Sequence, residues 1–187
     1  MSKFHFPSLA ALGNQLSLLV IILILSYAFV DQIYFGQLPC PLCLMQRVGF
    51  ILIGFAIILN LRFGAHASHY GWAIFSGLVG MMISLRQIFL HIAPGDPGYG
   101  SPFLGLHFYT WAFVGALGLV GGQAILLMLP NGELRSRSWF CNLLVVIFAL
   151  LVFANLISTL AQCGFGPCAD NPVNYDGWTL LLFRFGF

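Results

Sequence analysis

Residues 39–47 read PCPLCLMQR, from Pro39 through the cysteine pair Cys40 and Cys43 to Gln46 and Arg47. Two cysteines three apart and a permanent cation stand at the mouth of a long apolar run, where a water-facing segment gives way to lipid. Pro41 suits the first position of a helix, where its missing N–H and fixed φ cost nothing. Cys40 then falls at the N-cap and Cys43 at the third helical position, facing backbone N–H groups that have no partner within the helix. A thiolate at that place is favoured by the helix dipole. Arg47 follows Cys43 by four residues and shares its helical face one turn deeper. An arginine so near the hydrocarbon is costly and marks a functional site, unless it merely snorkels to lipid headgroups.

Composition says what the apolar run is. Of 187 residues, 60% are hydrophobic and 6% charged, and the mean hydropathy is +0.96. Soluble domains carry about a quarter charged residues, so this chain cannot cover a water-facing surface. It reads as an all-α integral membrane protein whose length allows one domain, residues 1–187, built as a single bundle. Five segments approach the ~20 residues that a spanning helix needs: about 14–35, 43–62, 70–92, 108–129 and 139–161. That predicts a four-helix transmembrane bundle plus a fifth transmembrane helix. Gly- and Pro-rich stretches separate spans, notably APGDPGYGSP (93–102) and LPNGE (129–133). The first segment lacks the short apolar core and small-residue cleavage site of a removable signal, so it is expected to stay as span one. A formal charge of +2 gives no reason to expect a nucleic-acid partner.

Basic residues prefer the cytoplasmic side. Lys3, Arg62, Arg135 and Arg137 share one face if the N-terminus is cytoplasmic. Asp31, Asp96, Asp170, Asp176 and Arg184 take the other. Cys40 and Cys43 then open span two on the outer face, and span five returns to that face just before Cys163 and Cys168. Four cysteines thus share the compartment where disulfides persist, while Cys141 lies at the reducing side as a packed residue. Four thiolates on one side also suffice for a structural zinc site, and that alternative stays open here.

Span three carries a second polar cluster in SLRQIFLHI: Arg86, Gln87 and His91. Gln87 and His91 are four apart and share a face near the outer end of their helix. A lone histidine there is ordinarily a structural hydrogen-bond partner. Beside two arginines and a cysteine pair at similar depth, it suggests a site for a small polar head on an apolar body, and a quinone fits that description. The second cysteine pair lies in QCGFGPCADNPVNYDGW (162–178). Its C-x4-C spacing suits either a structural staple or a mobile loop whose sulfurs meet two partners in turn. Trp111 and Trp178 read as interface anchors. Asp31, near the outer end of span one, is a candidate partner for an arginine. The apolar segment 176–187 reads as an interfacial stretch that steadies the loop 162–187.

These motifs resemble the bacterial disulfide bond formation protein B (DsbB) family. The resemblance rests on PCPLCLMQR with Cys40, Cys43 and Arg47, on SLRQIFLH at the end of span three and on YTWAF (109–113), and covers about residues 14–128. It implies that Cys40–Cys43 is a disulfide oxidised by membrane quinone (ubiquinone or menaquinone), with Cys43 facing the quinone and Arg47 favouring its thiolate. It implies a ring-binding role where Gln87 stands; the residue types at Gln87 and His91 look exchanged relative to the family, and Arg86 is a further candidate for the same site. A larger departure concerns the second pair, which the family carries in the outer loop between spans three and four. Here that loop (93–107) has no cysteine, and the loop after span five carries Cys163 and Cys168.

The implied activity is that of a quinone-dependent thiol oxidase in the bacterial inner membrane, with its redox cysteines periplasmic. Its partner would be a soluble thioredoxin-fold oxidase (DsbA-like), besides membrane lipid, with electrons passing from Cys163/Cys168 to Cys40/Cys43 and on to quinone. A relay that serves a dedicated partner or runs in the reductive direction is one alternative. A membrane assembly protein whose four cysteines hold zinc or copper is another.

Overall fold

In a computed structural model, which describes residues 9–129 and 138–177, the chain is all-helical. Five helices follow one another: α1 (Leu9–Tyr34), α2 (Pro41–Phe63), α3 (Ala67–Leu90), α4 (Phe108–Leu127) and α5 (Trp139–Cys163). All five are long and apolar enough to cross a membrane. The largest departure from the expected limits is at the start of α1, which begins at residue 9 rather than 14. Lys3, Arg135, Arg137, Trp178, Arg184 and most of LPNGE and of the segment 176–187 lie outside the described residues.

The opening of α2 follows the sequence reading residue for residue. Cys40 is the N-cap with extended backbone (φ −66°, ψ 165°), its sulfur accepts from the Cys43 N–H, and Pro41 starts the helix. α2 is also the most enclosed of the five helices and packs against all four others. The core interleaves Leu18, Ile21 and Leu25 of α1 with Phe50, Ile53 and Ile57 of α2, and α5 adds Leu144 and Phe148. Cys141, fully buried and unpaired, packs in that core. Since hydrocarbon outside the bundle is as apolar as its interior, close van der Waals fit and polar contacts between helices hold it together. Gly49 and Gly80 supply the fit between α2 and α3: a Cβ on Gly49 would stand 3.2 Å from the Gly80 Cα.

This closeness gives a first testable outcome. Gly49→Leu is expected to destabilise the bundle by about 1–3 kcal/mol, because the added bulk meets backbone that cannot yield. Gly71→Leu on the same α2–α3 pair, where nothing lies within 4 Å, serves as the neutral control. Thermal unfolding in detergent measures both, and equal midpoints would contradict the close-packing account.

α5 lies against α1 and α2 and touches neither α3 nor α4 among the described residues. Arg62 donates to Asn142 at 2.7 Å at one end of the bundle. At the opposite end Gln162 donates to the Pro39 carbonyl at 2.8 Å. Both cysteine pairs therefore sit at the same end, which is the parity that five spans require.

Candidate redox site

Cys40 and Cys43 are joined as a disulfide, and so are Cys163 and Cys168. Within the first pair the sulfurs differ in setting. Cys40 is buried, while Cys43 is partly exposed and lines a cavity of about 370 Å³. That cavity runs between α1, α2, α4 and the loop after α3. Its walls are apolar and aromatic, with Phe50, Phe103, Phe108 and Trp111 among them, and its polar groups are few: Asp31, Gln37, Gln46, Arg47 and the hydroxyl-bearing Tyr27, Tyr99 and Tyr109. A small number of converging polar groups in a greasy slot is the usual form of a small-molecule site.

Arg47 is 9% exposed, so it does not snorkel to the surface. One guanidinium nitrogen donates to Gln32 Oε1 at 2.8 Å, another to the Ala28 carbonyl at 2.9 Å, and the plane lies over Phe29, 5.4 Å from the ring centroid. All three partners belong to α1. Asp31 lines the same cavity, yet among the described residues the one ion pair within 4 Å is His91–Asp96. The partner of Arg47 at bonding distance is thus an amide, not the carboxylate considered from sequence.

Gln87 reaches the disulfide from α3. Its amide nitrogen lies 3.3 Å from Cys40 Sγ and 3.5 Å from Cys43 Sγ, and its oxygen accepts from Gln46 Nε2 at 2.9 Å. Gln87 is almost fully enclosed and does not line the cavity. Gln46 does, and so ties the two together.

His91 and Arg86 are placed differently from the cluster expected of them. Arg86 is exposed on α3, and neither residue lines the cavity. Adjacent helical positions are rotated by about 100°, so the turn that buries Gln87 carries Arg86 outward. His91 is the C-cap of α3, where regular geometry ends. Its Nδ1 meets Asp96 at 3.0 Å, and its ring stacks on Tyr109, which stacks in turn on His107. The Gly98 N–H first, and His91 second, hold the Asp96 carboxyl below the usual carboxylate range. In the same loop Tyr99 donates to the Leu38 carbonyl at 2.6 Å. Burial, and then the charge of Asp31, push its phenol up, so it stays a neutral donor.

The second pair closes a loop after α5. Gly164 turns the chain at φ 62°, and a Cβ on Gly177 would strike the Gly164 nitrogen, so the two glycines bring the ends of the segment 164–177 into backbone contact. Cys163 is buried and Cys168 partly exposed. Gln162, beside Cys163, is bound to Pro39, beside Cys40. The end of α5 therefore stands beside the opening of α2. Four of the five cysteines are spent in disulfides, and among the described residues no group of three or more side chains is placed to hold a metal.

Sequence reasoning missed Gln32, Gln46, Gln162, Ser158 and Tyr175. Gln46 lies inside PCPLCLMQR, and Gln162 and Tyr175 lie inside QCGFGPCADNPVNYDGW, whereas Gln32 and Ser158 stand in no motif.

A family model described as disulfide bond formation protein DsbB matches residues 12–101. That range includes Cys40, Cys43, Arg47 and Gln87, and leaves out Cys163 and Cys168. Disulfide bond formation protein B of Nitrosomonas eutropha is 31% identical over 137 residues, covering 70% of this chain and 80% of that protein. The protein of the same name from Xanthomonas euvesicatoria pv. vesicatoria is 35% identical over 78 residues, 39% of this chain and 45% of the relative. The one from Chromobacterium violaceum is 32% identical over 95 residues, 46% and 57% respectively. No solved structure matches. The chain belongs to the disulfide bond formation protein B family, as a multi-pass membrane protein of disulfide bond formation.

Proposed function

We propose that this protein is a quinone-dependent thiol oxidase of the bacterial inner membrane, which reoxidises a soluble, periplasmic thioredoxin-fold (DsbA-like) disulfide donor. The observation that carries the reading is the shared cavity: Cys43, Gln46 and Arg47 line one apolar-walled space beside a disulfide. The donor set suits a quinone. Two carbonyl oxygens require hydrogen-bond donors, which Arg47 and Gln46 supply, and an isoprenoid tail requires apolar walls. When bound, ubiquinone or menaquinone supplies the two-electron sink.

The chain's own part is disulfide exchange. A thiolate of the reduced partner attacks the accessible sulfur of Cys168, the Cys163–Cys168 bond breaks, and Cys163 leaves as a thiolate. The partner's second thiol resolves the mixed disulfide, so the partner departs oxidised and Cys163/Cys168 remain reduced. Cys163, held near Cys40 by the Gln162–Pro39 contact, then attacks Cys40 and releases Cys43 as a thiolate. Cys168 attacks Cys163, which restores the second disulfide and leaves Cys40 and Cys43 carrying two electrons. Gln87, with its amide N–H 3.3 and 3.5 Å from the two sulfurs, is placed to donate to either as it becomes a thiolate. Arg47 sets a positive charge on the cavity side of Cys43.

The test follows quinone absorbance while the purified protein is supplied with a reduced thioredoxin-fold dithiol. Wild type is expected to consume quinone, and Cys43→Ser to abolish consumption. Undiminished consumption by Cys43→Ser would refute the assignment. A wild-type protein that instead reduces the partner's disulfide at the expense of quinol would reverse the direction.

A further inference from the structure

We propose that Gln32 is the positioning residue that aims Arg47 into the cavity, and that Ser158 and Tyr175 fix the orientation in which it does so. The proposal rests on the reading of that cavity as the acceptor site. Gln32 lies on α1 and is 3% exposed, so its amide must find partners inside the protein. A guanidinium is a donor only, which assigns the oxygen of Gln32 to Arg47, at 2.8 Å. The nitrogen then faces two hydroxyls, Ser158 Oγ at 2.7 Å and Tyr175 OH at 3.1 Å. Each end of the amide is thereby committed, and a rotated amide would point a donor at a donor.

Arg47 has a long side chain with much rotamer freedom to lose, and a two-point hold on its fork removes that freedom in advance. The Ala28 carbonyl provides one point and Gln32 the other. The amide is the point that α5 and its loop can influence. Ser158 sits on α5, and Tyr175 sits in the loop that Gly164 and Gly177 close around the second disulfide. Both residues lie beyond the stretch matched by the family model, which ends at residue 101. The appended helix thus does more than carry a cysteine pair: it braces the cation on the acceptor side.

Equilibrium binding tests this without turnover. Trp111 lines the cavity, so a quinone bound there quenches its fluorescence. Full-length oxidised protein in detergent is titrated with a short-chain ubiquinone and, separately, with menadione, in the absence of any thiol donor. Gln32→Leu is expected to raise Kd about tenfold, the worth of one hydrogen bond to a charged group. Gln32→Glu keeps an acceptor for Arg47 and is expected to stay within about twofold of wild type. Ser158→Ala combined with Tyr175→Phe, which leaves both holding contacts of Arg47 intact, is expected to raise Kd severalfold, and thermal unfolding accompanies each variant. Wild-type affinity in Gln32→Leu, or a loss in Gln32→Glu as large as in Gln32→Leu, overturns the positioning role. If Arg47→Ala alone loses binding, positioning by Gln32 fails while the acceptor site stands. If wild type itself shows no quenching by either quinone, the acceptor reading falls and the proposal with it.

Discussion

Arg47→Met is expected to lower kcat/KM for quinone by about two to three orders of magnitude while leaving the mixed disulfide with the thiol partner intact. The size follows from where the charge sits. Preorganised donors in a water-excluded site are worth about 10²–10³ in rate when one is removed, because nothing must reorganise to use them. Arg47 meets that condition: it is 9% exposed, and α1 holds it at the Gln32 oxygen and the Ala28 carbonyl, so its fork is fixed before anything binds. Methionine keeps the length and apolar stem, so the packing is largely preserved and the charge is what is lost. Arg47→Lys is expected to fall in between. Lysine is a compact point charge that cannot hold both α1 acceptors in the same geometry. Rates over a range of quinone concentrations, with partner trapping as the second readout, check this. A loss below about threefold in Arg47→Met would remove Arg47 from the site.

The contrast between Arg47 and Arg86 shows what the sequence made legible. The opening of α2 was readable because its determinants are local: Pro41 needs the first helical position, which puts Cys40 at the cap and Cys43 at the third residue whatever lies around them. The five spans were readable because lipid demands unbroken apolar length. Parity placed both cysteine pairs at one end, and the Gln162–Pro39 contact agrees. Facing direction was harder. In a membrane-spanning helix such as α3, the choice between Arg86 and Gln87 for the interior depends on what α2 presents, and α2 presents two sulfurs and Gln46. His91 was expected beside Gln87 because four residues make a full turn, but α3 ends at Leu90. Gln32, Ser158 and Tyr175 were invisible for another reason: they meet across sequence separations of 126 and 143 residues. Glutamine, serine and tyrosine in apolar helices announce only that some partner must exist.

The second large effect concerns which sulfur meets the partner. With the partner's resolving cysteine replaced and its remaining cysteine carried as a disulfide with a small thiol, the lone Cys168 thiolate of Cys163→Ala is expected to displace that small thiol and trap the partner on the membrane protein nearly completely. Cys168→Ala is expected to trap almost none. Attack on a disulfide requires access as well as thiolate character, and the two sulfurs differ in access. Cys163 ends α5 as a buried residue beside Gln162, whereas Cys168 is partly exposed beyond the Gly164 turn. In the proposed relay the same asymmetry would give Cys163 the inward role, since the residue next to it is tied to the residue next to Cys40. A non-reducing gel of the single variants reads the result directly. Equal trapping by both variants would mean that loop mobility erases the asymmetry. Trapping through Cys40 alone would make Cys163–Cys168 a staple and remove the first step of the relay. Since the fifth helix carries this pair outside the part of the chain that the family model matches, the proposed relay puts its donor side on residues 162–177, and trapping interrogates them without reference to the quinone.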